Sequence, residues 1–120
     1  MYLAAGNNYR ESRWFTAWAR DAGRAVDDFQ LSPEIVGIRG QKMTKFGNAV
    51  IRCLDTTIAV ETCEEIFVPK NPHVDYGLDG VEIIVNGSGS HHELRKLHTR
   101  LALVTNAASR NGGVYVYANA

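Results

Sequence analysis

The chain has 120 residues, 13 Lys and Arg against 13 Asp and Glu, 45% hydrophobic residues and two cysteines. That length fits one domain or a piece of one, and a complete domain of this size buries about two-thirds of its unfolded surface. The cancelled charge, without a Lys/Arg block, excludes the basic footprint of a nucleic-acid-binding surface. No run approaches the roughly 20 apolar residues of a membrane span. Cys53 and Cys63 are too few for a disulfide scaffold and lack metal-ligand spacing, so they read as free thiols in a reducing compartment. Met1-Tyr-Leu-Ala-Ala-Gly6 lacks the basic start and apolar stretch of a signal peptide. The expectation is a soluble, cytoplasmic protein with no nucleic-acid or membrane partner.

Residues 1–30 are short on regular pattern. Trp14, Phe15 and Trp18, at spacings of three and four, suit one helical face or a loop packed on a neighbouring surface, and the sequence leaves both open. From Phe29 to Lys45 the composition is that of a connecting segment, with Ser32-Pro33 as a turn or helix start. Regular architecture is predicted from Ala49. Ala49–Leu54 and Thr57–Val60 are apolar and β-branched, with Asp55-Thr56 as a tight turn between antiparallel strands. Val81–Val85 predicts a third strand buried on both faces, opening into a polar loop, Asn86-Gly-Ser-Gly-Ser90. Leu94, Leu97, Leu101, Val104 and Ala108 then recur at helical spacing as one apolar stripe, with Arg95, Lys96 and Arg100 on solvated faces. Ser90 with Glu93 has the form of a capping box, and Gly112-Gly113 supplies the stop. Val114-Tyr-Val-Tyr117 is a fourth strand, parallel to the third through a βαβ crossover.

Reactive groups in α/β sheets gather at the carboxyl ends of strands. Cys63 ends one predicted strand and the 86–90 loop ends the next, so the two are expected to be neighbours. A thiol is a useful nucleophile only as a thiolate, and the adjacent Glu64 and Glu65 disfavour that form, so a cation must come from elsewhere. The bland alternative for Cys63, and the expected role of Cys53, is a small buried hydrophobe. His91-His92 point in different directions on a helix and do not readily make one metal site. Ser88 and Ser90 suit capping, and the same helix start also suits a carboxylate or oxyanion.

Glu61-Thr-Cys-Glu-Glu-Ile-Phe67, Gly77-Leu-Asp-Gly-Val-Glu-Ile-Ile84, Asn86-Gly-Ser-Gly-Ser-His-His-Glu-Leu-Arg-Lys96 and Asn111-Gly-Gly-Val-Tyr115 together resemble the glutaminase domain of the eukaryotic glutamine-dependent NAD synthetase family, within the carbon-nitrogen hydrolase (nitrilase) superfamily. Asn8-Tyr-Arg-Glu11 and Arg13-Trp-Phe15 fit the same pattern. The resemblance implies an α/β fold, a partial nitrilase-type αββα sandwich in which residues 1–120 form part of one glutaminase domain, with the synthetase domain absent. It implies a Glu, Lys and Cys triad that releases ammonia from glutamine. The ammonia then amidates nicotinic acid adenine dinucleotide in the separate synthetase domain, where ATP and magnesium act, so no cofactor is expected in these residues. Position by position, Cys63 is implied as the nucleophile, Glu11 as a catalytic glutamate supporting the lysine, and Tyr9, Glu64, Ser90 and Arg95 as glutamine contacts, Lys96 competing with Arg95. The triad lysine falls immediately before Met1 and the general-base glutamate earlier still, which reads as an internal piece of the domain. A homo-oligomer is implied for the full-length protein. A free-standing nitrilase-like amidase and an inactive truncated interaction module are the alternatives.

Overall fold

The structure, a computed structural model, describes residues 26–119, which divide into two compact units, 26–49 and 50–119. In the first, strands β1 (Val26–Gln30) and β2 (Met43–Gly47) pair antiparallel, Val26 opposite Gly47 and Gln30 opposite Met43. Helix α1 (Pro33–Arg39) occupies the connection. Its start is the expected Ser32-Pro33, where proline's fixed φ suits the first turn. It ends at Gly40 (φ 71°), whose N–H donates to the Val36 carbonyl. Backbone hydrogen bonding at the helix start and the Ser32 hydroxyl hold the Glu34 carboxyl below its ordinary range. The connecting segment expected over Phe29–Lys45 is therefore regular structure. Its strands were hidden because few of their residues are apolar, and cross-strand pairs hold them together, Phe29 against Phe46 at 5.6 Å and Lys45 to Asp28 at 2.7 Å.

The second unit is a four-stranded mixed sheet in the order β3-β4-β5-β6. Strands β3 (Ile51–Arg52) and β4 (Thr57–Thr62) are antiparallel as expected, although the turn centres one residue early, closed by the Cys53 N–H donating to the Thr56 carbonyl at 2.8 Å. Cys53 is consequently exposed rather than a buried hydrophobe. Strands β5 (Ile83–Ser88) and β6 (Val114–Asn119) run parallel to β4 and to each other, as a βαβ crossover through helix α3 (Lys96–Asn111) requires. A 3₁₀ turn (Cys63–Phe67) and helix α2 (Pro72–Leu78) link β4 to β5.

Period-two alternation separates the sheet into unlike faces. One presents Ala59, Glu61, Ile84, Asn86 and Ser88, all buried, with Tyr115 and Tyr117 from β6. Ala59, Val81 and Ile84 form its core, with Val50, Tyr76 and Tyr115 packed against them. The other carries branched aliphatics, among which Val60, Val114 and Val116 are exposed. On β5 the fully buried residues fall on one face, with Ile83 and Val85 on the other half-buried, rather than buried on both as its Ile and Val content suggests.

Two expectations for α3 differ from the structure. Leu94, Leu97 and Leu101 are exposed, Leu94 at 96%. Val104 and Ala108 of the expected stripe are half-buried, and the inward side also takes Lys96, Arg100, Leu103, Ala107 and Asn111. The helix also starts without a side-chain cap at Arg95, in left-handed geometry (φ 68°), and Ser90 is not its capping residue. The capping box lies at the 3₁₀ turn: the Thr62 N–H donates to Glu65 Oε2 at 2.7 Å, and the Glu65 N–H returns to the Thr62 side chain.

Gly112 ends α3 as expected, at φ 69°, its N–H donating to the Ala108 carbonyl. Gly113 is needed for a different reason, since a Cβ there would lie 2.2 Å from the Glu82 carbonyl oxygen. That oxygen cannot retreat, because it accepts the Val114 N–H at 2.8 Å while the Glu82 N–H donates to Thr57. Gly113→Ala is expected to destabilise by about 3 kcal/mol, read as a lower urea midpoint at constant slope. Gly87→Ala, with nothing within 4 Å of the added carbon, is the control and should move the midpoint little.

Candidate functional site

Cys63 follows the last residue of β4 and takes a positive φ of 38°, a conformation that costs a non-glycine residue and is held here by the capping box immediately around it. The turn leaves the thiol half-buried at the carboxyl end of the parallel strands. Beside it is a cleft of about 390 Å³. Cys63, Glu64, Phe67 and Val68 of the 3₁₀ turn form one wall; Gly89, Ser90, His91, Glu93 and Lys96 form the other. Lys96 Nζ lies 3.5 Å from Glu93 Oε1, so both charge signs are present in the cleft.

The structure brings together Cys63, Glu64 and Ser90 as the sequence anticipated. Arg95 is exposed and outside the cleft lining, whereas its neighbour Lys96 lines it, because the left-handed residue at 95 turns the chain just as α3 begins. Tyr9 and Glu11 lie outside the described residues, as do Trp14, Phe15 and Trp18.

Asn86 and Ser88 were expected in a loop. They are strand residues, paired with Tyr117 and Asn119. Their polarity misled because it serves the enclosed face. Asn86 Nδ2 donates to the Tyr115 hydroxyl at 3.0 Å and to the Cys63 carbonyl at 3.4 Å. Ser88 Oγ lies 3.4 Å from Cys63 Sγ. Behind Asn86 is Glu61, fully buried, accepting hydrogen bonds from the Tyr115 hydroxyl and from His73 Nδ1 at 2.9 Å. Burial first, then the hydrogen bond to Glu61 and its charge, push the Tyr115 phenol well above its ordinary range, so it stays a neutral donor.

Arg100, expected on a solvated face, reaches back over the loop. Its Nη2 donates to Ser90 Oγ at 3.0 Å and to the carbonyls of His91 and Ser90 at 3.3 and 3.5 Å, and its guanidinium lies 5.7 Å from the Tyr117 ring centroid. Only one sequence signal pointed to it: Lys96 and Arg100, four apart, share a helix face with Leu103 and Ala107.

Comparison with known proteins fits this geometry. Residues 3–120 match the carbon-nitrogen hydrolase family. The chain is 56% identical over 119 residues to a glutamine-dependent NAD(+) synthetase of Saccharomyces cerevisiae, 51% to that of Mus musculus and 50% to that of Homo sapiens. Each match covers 99% of this chain but only 16 or 17% of the relative's length.

Proposed function

The chain belongs to the carbon-nitrogen hydrolase family, and we propose that it supplies the nucleophile and part of the glutamine pocket of a glutamine-dependent NAD synthetase. The observation that carries this is Cys63, held at φ 38° on the rim of a cleft bearing both a cation and carboxylates. The Cys63 thiolate attacks the side-chain amide carbon of glutamine, forming a C–S bond and a tetrahedral oxyanion. Collapse breaks the C–N bond, and the proton that the thiol gave up passes through the family's general-base glutamate to the departing nitrogen, so that ammonia leaves. Water then attacks the thioester, releasing glutamate and regenerating the thiol. The Glu64 backbone N–H is proposed as an oxyanion donor. Lys96 is proposed to receive the substrate carboxylate, with Ser90 as a further contact. On this reading the ammonia amidates nicotinic acid adenine dinucleotide in a separate synthetase portion that uses ATP and magnesium, and no step at Cys63 runs through either. The reading carries with it a cytoplasmic, homo-oligomeric enzyme.

A glutamine analogue bearing a chloroketone tests the reading directly. Rapid labelling of Cys63, suppressed by excess glutamine, is expected, while any slower labelling of exposed Cys53 should be insensitive to glutamine. Labelling of Cys63 that glutamine does not slow would overturn the assignment of the pocket.

A further inference from the structure

Cys63 Sγ has a hydroxyl partner that the reaction as described does not use. Ser88 Oγ lies 3.4 Å from it, 2.7 Å from the Tyr117 hydroxyl and 3.2 Å from the Ser90 backbone nitrogen. A serine hydroxyl has one proton and two lone pairs. The Ser90 N–H, shared with Asn119 Oδ1 at 2.8 Å, can only donate, so Ser88 meets it with a lone pair. A thiolate can only accept, so once Cys63 ionises the single Ser88 proton turns to sulfur, and the remaining lone pair takes the Tyr117 proton. Every position on Ser88 is then filled, and the direction is fixed from Tyr117 through Ser88 to Cys63.

We propose that Ser88 is a catalytic residue whose hydroxyl donates to the Cys63 thiolate, and that Tyr117 is a positioning residue that orients this proton. The proposal rests on Cys63 being the nucleophile, as argued above. The surrounding structure holds the chain of hydrogen bonds in place. Ser88 is buried and its strand is paired to β6 through Asn119. The Asn119 side chain accepts the Ser90 N–H at 2.8 Å. Arg100 covers the Tyr117 ring and anchors the Ser90 and His91 carbonyls. The groups bearing on the thiol from the other walls are Glu64 on the 3₁₀ turn, His91 and Glu93 on the loop, and Lys96 on α3. Lys96 is engaged with Glu93. Ser88 is the side-chain donor recorded at the sulfur among the described residues.

The test is iodoacetamide alkylation as a function of pH, in the protein carrying this chain with Cys53→Ser, followed on the Cys63 peptide by mass spectrometry so that other thiols do not contribute. Ser88→Ala is expected to slow alkylation about tenfold at neutral pH, the effect of losing a hydrogen bond to a charged group. The rate should recover at alkaline pH, where donor assistance is no longer needed, which a collapsed site would not do. Tyr117→Phe should move the profile the same way by less, and the double variant should be no slower than Ser88→Ala, since Tyr117 acts through Ser88. An unchanged profile in Ser88→Ala, or multiplicative effects in the double variant, overturns the proposal. If circular dichroism shows that Ser88→Ala does not fold, Tyr117→Phe decides alone, and an unchanged profile there overturns it. Glutamine takes no part in this measurement, so its failure is separate from failure of the glutaminase reading.

Discussion

Serine in place of Cys63 should reduce glutamine-driven NAD formation by roughly 10⁴-fold or more in the protein carrying this chain, while formation from free ammonia continues at the parental rate. The substitution keeps approximate size and an acceptor for the Ser88 hydroxyl, but an alkoxide at this position is far harder to generate than a thiolate. Only the amide-cleaving step should be lost. The ammonia-driven reaction is the control for folding damage, because a distorted protein would lose both. Cys53→Ser should leave both reactions unchanged, since Cys53 sits exposed at the β3–β4 turn. Retained glutamine turnover in Cys63→Ser would remove the thioester from the mechanism.

The parts of this site that were legible in the sequence were those written in runs. Thr57–Val60, Val81–Val85 and Val114–Tyr117 are rich in β-branched or aromatic residues, and the helical stretch between the last two specifies their parallel pairing; the strand ends placed Cys63 near the 86–90 segment, and the parallel β4–β5 pair brings them together. What was not legible depends on which way a polar side chain faces. Asn86 and Ser88 read as loop by composition, yet pairing with Tyr117 and Asn119 makes them strand residues that meet the Cys63 carbonyl and the Cys63 thiol respectively. The apolar stripe of α3 held at Val104 and Ala108, and its leucines failed for the complementary reason. Arg100 takes an inward position because backbone carbonyls and a tyrosine ring await it there, Lys96 turns in beside Glu93, and Leu94, Leu97 and Leu101 are turned to the outside. Thr62-Cys-Glu-Glu65 has the capping-box signature in plain view, but the resemblance of Cys-Glu-Glu gave a role to Glu64 alone. Glu65 instead shapes the turn that displays Cys63.

Glu61 should be the most expensive buried side chain to remove from that face. Its relative exposure is 0%, and it serves Tyr115 and His73 at once, so Glu61→Ala strands two buried donors and opens a void. The expected loss is about 3–5 kcal/mol, the range for breaking one partner out of a buried polar network. It should appear as a lowered urea midpoint at constant slope. Tyr115→Phe should cost about 1–2 kcal/mol, because Glu61 keeps His73. A Glu61→Ala loss below about 1 kcal/mol would mean that water replaces the carboxylate and that the network is not closed. Stability and function should then part company. Replacing Glu61, His73 and Tyr115 together by apolar residues of similar volume leaves no orphaned donor among the three, and is expected to recover most of the lost stability. It also strips Asn86 of its Tyr115 partner, and Asn86 donates to the Cys63 carbonyl. The triple variant should therefore be stable but slow, with kcat for glutamine reduced at an intact ammonia-driven rate. A triple variant that regains stability and full glutamine turnover would show that Asn86 holds the Cys63 turn without help from the network behind it.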